Sequence, residues 1–153
     1  PPMRPTTPVN NADYEKKEKQ KPKFLKVQEK VEQKKTEAAS KFKSGNYIEA
    51  NKIYKSATAQ LEDLIEDFPL FKKEISQLEA TIFNNMAFCY GKDQQHRQEV
   101  EYTSKVVDRA LYLDDTNVLL KAYLRRGLAY EHLEKYKLAC NDLKRVKELQ
   151  PYN

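Results

Sequence analysis

Tryptophan is absent from this chain, glycine occurs three times, and cysteine, methionine and histidine occur twice each. Three glycines cannot supply a phosphate cradle as well as tight turns, and no Walker-type loop is present. Neither G-x-S-x-G nor H-E-x-x-H occurs, so a nucleophile elbow and a zincin helix are both excluded. His96 and His132 fall in a polar loop and near a turn, and they read as surface residues rather than general bases. Two cysteines cannot hold zinc unaided, and the histidines do not stand at ligand spacing to them. Cys89 and Cys140 fall on expected helices beside core positions and read as reduced, partly buried thiols. No catalytic residue, metal or cofactor is therefore expected, and a reducing, cytoplasmic setting is the natural inference. No apolar run approaches ~18 residues, so no membrane insertion is expected. No secretory signal pattern opens the sequence. The first residue is Pro rather than Met, as in a fragment or a processed chain.

What the chain does have is charge. Charged residues make up 33% and hydrophobic residues 39% of the 153 positions, which suits long amphipathic helices joined by short turns. The length is enough for one domain with a real core. The net charge of +5 is compatible with nucleic acid, an acidic membrane or an acidic peptide and does not choose among them. The run Lys16, Lys17, Lys19, Lys21, Lys23 and Lys26 is diluted by Glu15, Glu18 and Glu29 and carries no interleaved aromatics beyond Tyr14 and Phe24. Nucleic acid is accordingly not expected as a partner.

Four prolines (Pro1, Pro2, Pro5 and Pro8) precede Asn11, and Pro22 argues against one unbroken helix through the Lys-rich stretch that follows. Residues 1–22 are read as a flexible tail, with a helix starting near Lys23 and running to about Lys43. The Lys-rich segment before residue 30 is compatible with either an extra capping helix or a solvated extension. Ser44-Gly45-Asn46 is a turn in which Gly45 suits positive φ. A helix from Tyr47 to about Asp67 is ended by Pro69, and another spans roughly Lys72 to Tyr90. A helix over about Arg97 to Leu113 precedes the connection at Asp114–Asn117.

The segment Tyr123–Pro151 carries the clearest pattern. Tyr123, Gly127 and Tyr130 share one helical stripe, Glu134-Lys135 marks a turn, and Tyr136, Ala139, Leu143 and Val146 share a second stripe ended by Pro151. The tyrosines read as core residues, and the small residues Gly127 and Ala139 sit where two helices approach closely. Tyr47, Ala50, Tyr54 and Ala57 match the second stripe position for position, and Phe83, Ala87 and Tyr90 match the first. This resembles the tetratricopeptide repeat (TPR), a 34-residue helix–turn–helix unit. The resemblance covers about residues 31–153 and implies an all-α fold. It further implies three stacked pairs (about 31–68, 72–115 and 120–153, within a domain of 23–153) forming a right-handed superhelical solenoid. The first copy carries extra residues before the second, and the second about four extra residues between its helices.

In such stacks the first helix of each pair lines a peptide-binding groove. Polar residues at groove positions are Lys35, Asn85, Lys121 and Arg125. The set resembles the carboxylate clamp of co-chaperone and immunophilin TPR domains, with Ala39 standing where that family usually has Asn. The resemblance implies a non-enzymatic adaptor whose partner is the C-terminal Glu-Glu-Val-Asp tail of a 90-kDa or 70-kDa heat-shock protein. In it Lys35 and Asn85 take the main-chain carboxylate, and Lys121 and Arg125 the side-chain carboxylate. The missing Asn and the stretched repeat leave open a scaffold role in a larger ciliary or organelle assembly, with an internal peptide or helix in the groove.

Overall fold

The computed structural model describes residues 11–150. Among them six α-helices follow one another: α1 (Asn11–Lys43), α2 (Tyr47–Asp67), α3 (Lys72–Lys92), α4 (His96–Val107), α5 (Thr116–His132) and α6 (Tyr136–Leu149). One 3-10 turn, Pro69–Phe71, joins α2 to α3, and another, Ala110–Tyr112, lies between α4 and α5. Each helix packs on the next, and α3 also touches α5. That is the arrangement of antiparallel pairs stacked in a row, and it bears out the all-α solenoid expected from the sequence.

The three helix-to-helix turns are the same turn. Gly45, Gln94 and Glu134 each adopt positive φ, at 81°, 60° and 60°. One residue on, the amides of Asn46, Gln95 and Lys135 donate to the carbonyls of Lys41, Tyr90 and Tyr130 at 2.8–2.9 Å. This is the six-to-one bond by which a left-handed residue closes a helix C-terminus. Only the first turn uses glycine, so the other two bear the ~1–2 kcal/mol that a side chain costs there. The recurrence also sets the register. The turn in the second repeat is as short as the others, so no residues are inserted between its helices, contrary to expectation. Its extra length lies after α4, in the 3-10 turn at Ala110–Tyr112. The first repeat is lengthened by α2, which has 21 residues, and by the turn at Pro69.

The first helix also corrects the sequence reading. It begins at Asn11 and runs 33 residues through Pro22, instead of starting near Lys23. Of the tail expected over 1–22, residues 11–22 are helical, and residues 1–10 lie outside the described residues. Proline removes one backbone bond and costs ~3 kcal/mol in a helix interior. Packing against the Pro69–Phe71 turn and the start of α3 offsets this. Phe24 stacks on Phe71 with ring centroids 4.3 Å apart and meets Phe68 edge-on at 6.1 Å. Further out, Lys17 pairs with Glu74 at 2.6 Å and lies 5.0 Å over the Phe71 ring. The Lys-rich stretch is therefore a helical arm continuous with the first repeat.

The core runs along the middle of the stack. Val31 and Ala38 of α1, Leu61 and Leu64 of α2, Ile75, Ile82 and Met86 of α3, Val106 of α4 and Ala122 of α5 are buried in one cluster. Each large aliphatic residue among them contributes about 1.5–3 kcal/mol by leaving water. Small residues set the spacing of the last pair. A Cβ on Gly127 would lie 3.2 Å from the Leu143 side chain and 3.3 Å from that of Asp142. Ala139 is buried and Tyr123 nearly so, as expected, and Tyr130 is partly buried. Tyr136 departs from the core expectation, at 61% exposed, and Leu143 is exposed as well. Ala50, Tyr54 and Ala57 of α2 are buried in a stack that continues into α3, whereas among the described residues no helix follows α6. Pro151, expected to end α6, lies outside the described residues.

Two ion pairs with buried carboxylates tie neighbouring elements of the stack together. Arg126 of α5 forks onto Asp142 of α6 through Nε to Oδ2 (2.8 Å) and Nη2 to Oδ1 (2.7 Å), with Nη1 reaching Ser104 Oγ of α4 at 3.3 Å. Glu79 of α3 receives Arg109 through two bonds of 3.3 Å. Both carboxylates are buried, which is tolerable only because each is bonded in this way.

Candidate functional site

The register set by the three turns assigns every groove position. The offsets that relate Gly45, Gln94 and Glu134 also relate Ala39, Phe88 and Leu128, and likewise Lys43, Lys92 and His132. Lys35 and Ala39 belong to α1, Asn85 to α3, and Lys121 and Arg125 to α5. Lys121 and Arg125 are one helical turn apart, so they share a face.

Arg125 is the best-anchored of the four candidates. Its Nη1 donates to the main-chain carbonyl of Asn84 at 2.7 Å, and its guanidinium lies 4.6 Å from the Phe88 ring centroid. Burial pulls its pKa below the ordinary arginine value, and the neighbouring charge of Glu99 partly offsets that. Lys121 is exposed and has no ion-pair partner among the described residues. Lys35 is half-buried and has only a loose pairing with Glu32 at 3.7 Å. Asn85 lies beside the hydroxyl of Tyr54, whose pKa is raised chiefly by its burial. Among the described residues no ion pair or hydrogen bond joins the four to one another. Arg125 is tied to the helix that carries Asn85, and Lys121 stands one turn before it. Lys35 is linked to them only through its helix.

That link is Phe88, which the sequence reading did not single out. Its ring lies 5.1 Å from Phe42 of α1 and under Arg125 of α5, so it bridges the three first helices of the repeats. It remains 37% exposed. Leu128 of α5 lines one cleft with it, and Leu124, one helical turn before Leu128, is exposed as well, so apolar surface accompanies the cations. A signal for it was present, because Phe88 occupies in the second repeat the position that Ala39 and Leu128 occupy in the others. Asn84, beside Asn85, is buried and donates to the Val118 carbonyl at 2.9 Å, which holds α3 to α5.

The histidines and cysteines differ from expectation in part. His96 opens α4 with its side chain 15% exposed, its Nδ1 lies 3.0 Å from Glu99, and its ring stacks on that of His132 at 4.2 Å. His132 is exposed, as expected. Glu99 packs against Gly91, where a Cβ would come within 2.3 Å of its Oε2. Cys89 is buried, and that burial pushes its thiol up to about 11, whereas Cys140 is exposed instead of partly buried. Among the described residues no group of three His, Cys, Asp or Glu is placed to hold a metal ion, and no helix is long and apolar enough to cross a membrane.

This arrangement can bind an anion. It presents cations held on rigid helices beside apolar surface, with Arg125 already oriented by its two contacts. No protein-family model matches the sequence. The chain is 32% identical over 124 residues to the mitochondrial import receptor subunit TOM34 of Rattus norvegicus, covering 81% of this chain and 36% of that protein. It is 34% identical over 107 residues to sperm-associated antigen 1 of Homo sapiens, covering 70% of this chain and 10% of that protein. The chain therefore spans about a third of the first relative and a tenth of the second. Among solved structures it superposes on the C-terminal TPR-containing domain of a Plasmodium falciparum protein assigned to the FK506-binding proteins. The TM-score is 0.68, with 27% identity over 84% of this chain and 81% of that one. With three helical pairs, three equivalent turns and this neighbour, the chain is a tetratricopeptide-repeat domain.

Proposed function

We propose that this domain is an adaptor that binds the C-terminal tail of a 90-kDa or 70-kDa heat-shock chaperone, of the Glu-Glu-Val-Asp type, through a carboxylate clamp. The observation that carries the proposal is Arg125. Among the described residues, this half-buried guanidinium, which spends one N–H on a main-chain carbonyl and rests on an aromatic ring, has no carboxylate hydrogen-bonded to it, and a lysine without an ion-pair partner stands one turn away. A C-terminal aspartate brings two carboxylates close together. Lys121 and Arg125 suit the side-chain carboxylate, and Lys35 and Asn85 the main-chain one. Each charge-assisted bond contributes ~1.5–3 kcal/mol, so a clamp lacking the amide at Ala39 still reaches micromolar affinity.

The test is Arg125→Ala and Lys121→Ala, each titrated with a free-acid tail peptide by calorimetry. Each substitution lowers the affinity at least tenfold while the thermal unfolding midpoint stays within a few degrees. Unchanged affinity in both sinks the clamp. A second reading, a scaffold groove holding an internal segment, draws on Ala39 and on the apolar surface around Phe88. Such a groove has no use for a free chain end, so tolerance of an amidated peptide identifies it.

A further inference from the structure

We infer that the groove holds a second subsite, formed by the Lys92 ammonium and the His132 ring, that receives the side-chain carboxylate of a peptide residue about three positions before the C-terminus. This inference rests on the clamp reading and extends it.

The residues come from the register. Lys92 and His132 follow Asn85 and Arg125 by seven positions each, which is two helical turns, or about 10 Å, along the same faces. Both line one cleft of about 290 Å³, together with Phe88, Leu128, Gly91 and Glu99. The cleft shares Phe88 with Arg125. Arg125 lies 4.6 Å from the centroid of that ring and Lys92 Nζ 5.3 Å from it, so one aromatic seats a cation from each subsite. The acidic group in the cleft, Glu99, is already engaged by His96 Nδ1 at 3.0 Å. His96 in turn lies parallel to His132 at 4.2 Å and fixes its ring. Lys92 has no ion-pair partner among the described residues and is exposed. An extended peptide advances about 3.3 Å per residue, so the 10 Å between subsites corresponds to three residues. The occupant is therefore an aspartate or glutamate of the same tail, chosen by charge.

The experiment uses synthetic pentapeptides ending in a free Asp, with Glu or Gln three positions upstream and Gln and Val, in that order, at the two positions between. They are titrated against the unaltered protein and against Lys92→Ala and His132→Ala. The unaltered protein prefers the Glu peptide by about two- to fivefold, the range of a partly exposed ion pair. Each substitution reduces that preference toward one and leaves the affinity for the Gln peptide unchanged. An equal Glu-to-Gln ratio in all three proteins overturns the subsite, and the clamp stands as long as the free-acid peptides bind. The Glu peptide amidated at its C-terminus is titrated alongside: its binding as tightly as the free acid overturns the clamp, and failure of every peptide to bind overturns both. Both residues are exposed, and thermal unfolding of each variant confirms that it is folded.

Discussion

At the residue scale the most consequential side chains are charged groups that have left water. Asp142 is 5% exposed and Arg126, its forked partner, 17%. Removing the arginine strands a buried carboxylate. Arg126→Ala is expected to cost about 3 kcal/mol in urea unfolding, and replacing both partners together is expected to cost less than replacing Arg126 alone. A loss under about 0.5 kcal/mol would place the pair with the weak surface bridges. The thiols give a second test. Cys89 is buried and pushed up to about 11, while Cys140 is exposed. At pH 8 the native domain is expected to react at one thiol with a disulfide reagent, and peptide mapping should find the label on Cys140. Equal labelling of Cys89 without unfolding would contradict the burial. Side chains of this kind were the least legible in the sequence. Composition marks a cysteine or an arginine, but its partner comes from a helix elsewhere in the chain. Arg126 and Asp142 are 16 positions apart, and Arg125 and Asn84 are 41.

At the scale of elements the sequence was read more securely, because helix periodicity and turn chemistry are local. The helices α2 and α3 fall close to where apolar spacing and Pro69 place them, and Gly45 takes the positive φ expected of it. The misreadings have physical causes. Pro22 was read as a break, but the Phe24–Phe71 stack and the Lys17–Glu74 pair hold the helix on both sides of it. The second turn, expected to carry about four extra residues, is short because Gln94 adopts the positive φ that glycine takes in the first. Glu134 sits in the same strained position, at φ 60°, and glycine is free of that strain. Glu134→Gly is accordingly expected to stabilise the domain by about 1 kcal/mol, seen as a rise in the unfolding midpoint. A fall would show that the glutamate side chain contributes more than the strain removes.

At the scale of the whole molecule, the stack matters because it puts one face of α1, α3 and α5 side by side. Three repeats are about the fewest that bury each other's apolar faces. The register of those repeats made Lys35, Asn85, Lys121 and Arg125 legible as a set. What it could not supply was Phe88, whose role depends on the aromatic from α1 and the cation from α5 that meet on its two sides. The account therefore depends on whether this face reads a chain end. The direct measurement is a calorimetric titration of the domain with a peptide ending Met-Glu-Glu-Val-Asp, beside the same peptide amidated at its C-terminus. The account predicts micromolar binding of the free acid that the amide abolishes. Equal binding of the two peptides, or no binding of either, would contradict it.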